Sequence, residues 1–219
     1  MTALAEPSLA ALLADIRACR ICRDAPQGRQ LPHEPRPVVR VAATARIAVC
    51  GQAPGVRVHN SGLPFDDPSG DRLRDWMGVD RATFYDEATF AFVPMGFCFP
   101  GHDAKKGDLP PRRECAEHWR EQVMAQLPEL ELLLLIGQYA QGWQLARIAG
   151  LTGVPKGLTA TVADWRRIYE HSATPRAIVL PHPSWRNSGW LKRHPWFTDE
   201  LLPVLKAEVG RCVAKRRAE

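Results

Sequence analysis

Short apolar runs alternate along this chain with longer segments in which apolar residues recur at helical spacing. The apolar runs predict strands over residues 45–50, 90–97, 130–136 and 177–180. The periodic segments predict helices over residues 4–18, 70–76, 113–126 and about 197–213, with a further helix after Gly137. Strands that alternate with helices favour a mostly parallel sheet with helices on both faces. Because no repeat or linker interrupts the pattern, we predict one α/β domain over residues 1–219.

The composition is that of an ordinary soluble protein with a modest positive charge. Hydrophobic residues make up 45% of the 219 residues, charged residues make up 24%, and the formal net charge is +5. The excess of cations suits a polyanionic partner such as nucleic acid, but it also suits many basic enzymes. Acidic residues within residues 1–19 argue against a secretion signal, and no apolar run is long enough for a membrane span. We therefore expect a cytoplasmic protein with no membrane partner, and we take it to be a monomer.

Three loops with unusual residues follow predicted strands. They comprise residues 51–55, 94–100 and 182–187, and glycine, proline and polar side chains are frequent in them. In open α/β sheets, ligands bind outside the carboxyl ends of the strands. The three loops therefore predict one shared pocket, although glycine and proline in any single loop can simply turn the chain.

Two of these loops carry motifs that resemble a known family. Gly51-Gln-Ala-Pro-Gly55 follows one strand and His182-Pro-Ser184 follows a later one. Together they resemble the two signature motifs of the uracil-DNA glycosylase superfamily, and residues 134–141 are similar to the strand and turn between those motifs. The resemblance covers about residues 19–196. It implies a three-layer α/β/α fold and a hydrolase that removes uracil or another deaminated base from DNA, which initiates base excision repair.

Four of the six cysteines resemble the arrangement in the iron–sulfur branch, the fourth family of this superfamily. Cys19 and Cys22 form a Cys-x-x-Cys pair, and Cys98 and Cys115 follow beyond the first motif. In a reducing compartment such residues are more often ligands or buried thiols than disulfides. Spacing alone leaves zinc, an iron–sulfur cluster or no metal as alternatives. The resemblance favours a [4Fe–4S] cluster with a structural role.

The segment around the first motif resembles two branches and departs from the superfamily at three positions. Residues 51–65 match the iron–sulfur branch without a gap, and Asp67-Pro-Ser-Gly-Asp71 is similar to the fifth family. Ala53 stands where the best-known members carry a water-activating aspartate, and Gln52 replaces an acidic residue. Pro94 replaces a base-reading asparagine. These departures suggest substrates beyond uracil, such as hypoxanthine or xanthine.

The chemistry of glycosidic cleavage suggests roles for polar residues of these loops. The reaction needs an extruded base, stabilisation of the departing base anion and a water that traps the sugar cation. His182 is expected to donate a hydrogen bond to a base carbonyl oxygen, although a loop histidine can also cap a helix. Asp67 is the first candidate to hold the water and Asp66 the second, although an Asp-Asp pair beside proline is also typical of a turn. Gln52 is expected to position the base or the water, and His59 is a weaker alternative.

Other residues are expected to contact the base or the DNA. The resemblance places Phe65 against the flipped base, with Gln52 and Ala53 beside it, and the alternative for Phe65 is a core position. The residues expected to hold DNA are Ser184, Arg186 and Lys192. Candidates for a wedge in the gap left by the extruded nucleotide are Trp185, Trp190 and Trp196.

The sequence therefore predicts a monofunctional DNA glycosylase. No lysine lies in the motif loops, so a lyase step through a Schiff base is not expected. One alternative is a non-catalytic or covalently trapping DNA-binding member of the same fold, which Gln52 and Ala53 leave open. A metal-dependent hydrolase of a small nucleotide is a weaker alternative, because His182, Asp66 and Asp67 lack the spacing of a ligand cluster.

Overall fold

The computed structural model describes residues 8–105 and 107–218. The strands are β1 (Ile47–Cys50), β2 (Phe90–Phe92), β3 (Leu132–Ile136) and β4 (Arg176–Leu180). Within the described residues they form one sheet in the order β2-β1-β3-β4, and every neighbouring pair is parallel. The predicted α/β class is therefore confirmed.

The strand order creates a switch point beside β1. The chain leaves β1 for β2 on one side and later enters β3 on the other side. Every residue of β1, β2 and β3 is buried, which explains why these strands are unbroken apolar runs in the sequence. At a switch point the connections diverge and leave a crevice outside the carboxyl ends of the strands. The fold therefore favours a ligand site just beyond Cys50, the last residue of β1.

Helices flank this sheet. The α-helices are α1 (Leu9–Ala18), α2 (Ile21–Asp24), α3 (Val56–Ser61), α4 (Pro68–Met77), α5 (Arg81–Phe84), α6 (Arg113–Cys115), α7 (Glu121–Ala125), α8 (Gln138–Leu145), α9 (Leu158–Ala163), α10 (Trp165–His171), α11 (Ser188–Arg193) and α12 (Leu202–Arg217). Two π-helical segments, Ala116–Arg120 and Phe197–Leu201, precede α7 and α12, and a 3₁₀ turn covers Trp185–Asn187. Helices α8 and α12 contact β3, whereas α9 and α10 contact β4.

The strand predicted over residues 90–97 is shorter in the structure. It ends at Phe92, because Pro94 has no N–H with which to continue the ladder. The chain nevertheless stays beside the first motif. Met95 N–H donates to the carbonyl of Gly51 at 2.9 Å, and Gly96 N–H donates to that of Gln52 at 3.0 Å. The loop after β2 is thus fixed directly against the loop after β1.

The predicted helices are present with different bounds. The helix predicted over residues 113–126 is divided by the π-helical segment, and the last helix continues to Arg217. Helices α9 and α10 were not apparent from the apolar pattern. Helix α1 covers the second part of the helix predicted over residues 4–18, and residues 4–7 lie outside the described residues. Among the described helices, none combines the length and the apolar character that crossing a bilayer requires.

Candidate active site

A cavity of about 450 Å³ opens at the carboxyl ends of β1 and β4. The residues singled out from the sequence that line it are Gln52, Ala53, Phe65, Asp67, His182, Ser184, Trp185 and Arg186. Pro94, from the loop after β2, is also in the wall. The cavity has the size of a small-molecule site, which typically measures about 300–1,000 Å³. The three loops therefore meet at one place, although they are far apart in the sequence.

Phe65 holds an unusual backbone conformation at the edge of this cavity. Its φ is 53°, a left-handed value that non-glycine residues seldom adopt. Gly70 makes the conformation possible, because a Cβ at that position would lie 1.8 Å from the carbonyl oxygen of Phe65. The ring is backed by Phe84 and Phe92, whose centroids lie 6.2 and 6.3 Å away. Phe65 is therefore a rigid aromatic wall of the cavity.

Asp67 has a structural role as well as a place in the cavity. It is the N-cap of α4, and its Oδ1 accepts hydrogen bonds from Ser69 N–H at 2.9 Å and Gly70 N–H at 3.1 Å. This use of Oδ1 leaves Oδ2 for a ligand or a water. Asp66 is not among the cavity-lining residues, and its carboxylate pairs with Arg81 at 3.1 Å. The two adjacent aspartates therefore have different surroundings.

His182 follows β4 and lies in the cavity wall. Burial lowers the pKa of its imidazole below the ordinary value, and the carboxylates of Asp67 and Asp108 oppose this effect only in part. The ring is therefore neutral at neutral pH, with one N–H to donate and one nitrogen to accept. A neutral imidazole that is partly buried in a cavity wall suits a hydrogen bond to an oxygen on which negative charge develops.

Two side chains hold the loop that carries His182. Asn187 Nδ2 donates to the carbonyl of His182 at 2.7 Å. Arg72, on α4, donates to the carbonyl of Ser184 at 2.8 Å and to Ser188 Oγ at 3.2 Å. Since Asp67 caps the same helix, Arg72 connects the aspartate and histidine sides of the cavity through one rigid element.

The first motif supplies the floor of the cavity. The side chain of Gln52 is fixed by a hydrogen bond from its Nε2 to the carbonyl of Leu109 at 3.2 Å. Ala53 presents only a methyl group, and a Cβ built on Gly96 would lie 3.6 Å from it. The motif therefore contributes an amide and an apolar surface to the cavity, and no carboxylate.

Asp108 is a cavity residue that the sequence reasoning missed. It belongs to a loop, residues 101–109, that follows no predicted strand directly. Its Oδ1 lies 3.2 Å from Nδ1 of His102. The available signal was the Gly107-Asp108 pair close to His102-Asp103, but such polar pairs are common in ordinary turns.

The segment after His182 divides into an exposed and a buried part. Trp185 is 73% exposed beside the cavity mouth, and the Arg186 guanidinium lies 5.8 Å from its ring centroid. Lys192 is exposed on α11 but does not line the cavity. Trp190 is buried, and its Nε1 donates to Thr159 Oγ1 at 2.8 Å. Trp190 is therefore a core residue, and the prediction that it could act as a wedge in DNA is wrong.

His59 lies outside the residues that line the cavity. Its ring packs against His33 and Phe99, with centroids 4.4 and 5.9 Å away. Its pKa is lowered by burial and, to a smaller extent, by the neighbouring His33 and Arg36. The structure therefore gives His59 a packing role and no contact with the cavity.

The four cysteines predicted as ligands line one small apolar cavity on another part of the molecule. Its lining residues are Cys19, Cys22, Cys98 and Cys115 together with Ile16, Pro35, Pro37, Phe97 and Trp119. Two of the sulfurs accept hydrogen bonds, Cys19 from Trp119 Nε1 at 3.2 Å and Cys115 from Phe97 N–H at 3.3 Å. The described cysteines form no disulfide, and Cys50 and Cys212 are separate buried thiols.

Burial governs the ionisation of these thiols. It raises the pKa of Cys22 to about 11 and that of Cys98 to about 12. It also raises the pKa of Cys115, and the neighbouring Cys98, Cys22 and Cys19 add to that increase. Thiols in such surroundings stay protonated unless a cation stabilises the thiolates.

The comparison with known protein families agrees with this arrangement. The model described as the uracil DNA glycosylase superfamily matches residues 39–206, which include every strand of the described sheet and the active-site cavity residues Gln52, Asp67, Asp108 and His182. On this match the chain belongs to the uracil DNA glycosylase superfamily.

Proposed function

We propose that this protein hydrolyses the N-glycosidic bond of uracil in DNA. The observation that carries the proposal is one cavity in which a neutral histidine, an aspartate and an aromatic wall occur together. These are the groups required for stabilising a base anion, for stabilising a sugar cation and for stacking on a flipped base. Membership of the superfamily supports a glycosylase of this kind.

The residues of the cavity have separable roles in this reaction. Phe65 stacks on the extruded base, a contact worth about 1–3 kcal/mol. His182 donates a hydrogen bond to a base carbonyl oxygen as the C1′–N bond breaks and its electron pair moves onto the base. The Asp67 carboxylate stabilises the positive charge that develops on the sugar. Gln52, held by Leu109, lies against the base or the water.

Residues at the mouth of the cavity hold the DNA. Arg186 and Ser184 contact phosphates beside the extruded nucleotide, and Lys192 contacts the backbone further along. Trp185 is the wedge, because its large ring is exposed next to the cavity and can fill the gap in the base stack.

The range of bases extends beyond uracil in this proposal. Pro94 lines the cavity, and proline has no N–H and no side-chain amide with which to read a pyrimidine edge. Hypoxanthine and xanthine share with uracil a carbonyl oxygen for His182. We therefore place other deaminated bases among the substrates.

We also propose that Cys19, Cys22, Cys98 and Cys115 hold a [4Fe–4S] cluster. The donor set fits, because four thiols line one apolar cavity and two of their sulfurs accept hydrogen bonds, as cluster thiolates commonly do. Four thiolates are also a ligand set for zinc, which is the alternative to a cluster at this site. The cluster, when bound, ties α1 and α2 to the loop that carries Cys98.

An alternative function is a DNA-binding protein that traps its substrate or does not cleave it. The absence of a carboxylate at Ala53 and the use of Asp67 Oδ1 as a helix cap favour this alternative. It predicts binding to uracil-containing DNA without turnover.

The decisive experiment uses the purified protein and an end-labelled oligonucleotide with one uracil. If the protein is a glycosylase, a small molar amount of it converts a larger molar amount of the uracil-containing oligonucleotide into DNA with alkali-sensitive abasic sites. A trapping protein stops at one equivalent and leaves a complex that survives denaturing electrophoresis. Oligonucleotides with hypoxanthine or xanthine define the substrate range, and undamaged DNA is the control.

A further inference from the structure

The loop of residues 101–109 brings a second carboxylate into the cavity wall. Leu109 N–H donates to the carbonyl of Gly101 at 2.9 Å, which closes the loop. His102 and Asp108 face each other as an antiparallel bridge between its two arms. These two contacts hold the arms of the loop together near Asp108. Asp108 lines the cavity together with Asp67 and His182.

Asp108 lies beside the motif that lacks a carboxylate of its own. A Cβ built on Gly55, the last residue of that motif, would be 3.5 Å from Asp108 Oδ2. The same loop is fixed to the motif by the hydrogen bond from Gln52 Nε2 to the carbonyl of Leu109 at 3.2 Å. The carboxylate of Asp108 is therefore placed next to the segment where Ala53 offers only a methyl group.

The surroundings of Asp108 suit a carboxylate that handles water. Its side chain is 47% exposed, so solvent reaches it. It also lies close enough to His182 to favour the charged form of that imidazole, as Asp67 does. Asp67 differs because its Oδ1 caps α4 through two N–H groups. Asp108 has no such helix cap to maintain.

We propose that Asp108 orients the water that attacks the sugar, an inference that rests on the glycosylase function proposed above. The C1′–N bond breaks and its electron pair leaves on the base. The water oxygen then bonds to C1′, and one water proton passes to the Asp108 carboxylate and on to solvent. The base anion takes up a proton from solvent, so the products are a neutral base and an abasic sugar.

His102 is the positioning residue for this carboxylate. Its Nδ1 lies 3.2 Å from Asp108 Oδ1, and Phe99 packs against its ring with centroids 4.9 Å apart. This contact uses Oδ1 and leaves Oδ2 on the side of Gly55. The pair therefore fixes the direction in which the carboxylate presents its second oxygen.

The test compares single-turnover excision of uracil by Asp108→Asn and by Asp103→Asn. Asp103 is a matched control in the same loop, where its Oδ1 accepts Lys105 N–H and Gly107 N–H, both at 2.8 Å, and asparagine can accept them equally. We expect Asp108→Asn to slow the chemical step by about 10²–10⁴-fold, the range for general base catalysis, with DNA affinity unchanged. Asp103→Asn is expected to stay near the wild-type rate.

Two further measurements separate this role from others. Added formate should restore part of the rate of Asp108→Ala, since it supplies a carboxylate that a structural defect would not use. The loss in Asp108→Asn should also be equal for uracil and hypoxanthine. A wild-type rate in Asp108→Asn, or a loss confined to one base, overturns the assignment while leaving the glycosylase function intact. Absence of excision by the wild-type protein would instead contradict the proposed function itself.

Discussion

His182 combines burial with the neighbourhood of two carboxylates, and burial is the stronger influence on its pKa. The neutral ring that results can donate one hydrogen bond to the departing base. We expect His182→Ala to lower single-turnover excision by about 10²–10³-fold, as when one donor to a developing oxyanion is removed. DNA affinity should change little. His171→Ala, at an exposed histidine of α10 that does not line the cavity, is the matched control, and equal rates for the two variants would remove His182 from this role.

Asp67 has two functions that different substitutions separate. Asparagine is as good an N-cap as aspartate, whereas alanine loses the cap at a cost of about 1 kcal/mol of folding free energy. Asp67→Asn should therefore unfold at the wild-type temperature and excise more slowly, and Asp67→Ala should also unfold at a lower temperature. Thermal unfolding and single-turnover kinetics measure the two effects.

A comparison with Asp66 and Asp108 completes this prediction. Asp66→Asn should have little effect on the rate, because that side chain pairs with Arg81 outside the cavity wall. If single-turnover excision by Asp67→Asn were slower than that by Asp108→Asn, Asp67 would be the residue that orients the attacking water, as the sequence predicts.

At the scale of elements, the packing of α4 against the turn at Phe65 sets the shape of the cavity. Gly70 lies where this helix passes the carbonyl of Phe65, and no side chain fits there. We expect Gly70→Ala to destabilise the fold by about 3 kcal/mol, the upper part of the usual range for overpacking. Gly142→Ala is the control, because a Cβ at that position in α8 meets no atom within 4 Å. Denaturant unfolding of both variants tests this, and equal stabilities would contradict it.

At the scale of the whole molecule, the cysteine cavity joins the N-terminal helices to segments far along the chain. We expect the protein to purify brown, with absorbance at about 400 nm from thiolate–iron charge transfer. Cys98→Ala should lose this absorbance and unfold at a lower temperature, since metal binding contributes to folding. Cys50→Ala is the matched control, as a buried cysteine outside that cavity. Iron and acid-labile sulfide analysis decides the matter, and zinc in place of iron would contradict the proposal.

The four strands, the helices α1, α4, α8 and α12 and the location of the cavity were predicted from the sequence. Unbroken apolar runs are typical of strands buried on both faces, so 132–136 and its neighbours indicated a covered parallel sheet. The loops after such strands share one edge of the sheet, which is why Gln52 and His182 could be paired across 130 residues. Phe65 and Asp67 were predicted as site residues through the resemblance of their motifs to the family. Helix bounds were less certain, because π-helical segments leave no periodic signal.

Only the tertiary structure decided which polar side chains reach the cavity. Asp66 and Asp67 are adjacent in sequence, yet one pairs with Arg81 on the surface and the other caps a helix beside the cavity. Asp108 enters the wall because a loop after Cys98 folds back on the first motif through Gln52 and Leu109, a contact with no sequence signature. Trp185, in the 3₁₀ turn, is exposed, whereas Trp190, in α11, is buried in the core. The burial of a side chain and the direction in which it points depend on long-range packing. Residue type and spacing therefore determine which chemical groups are available, and the packed fold determines which of them reach the cavity.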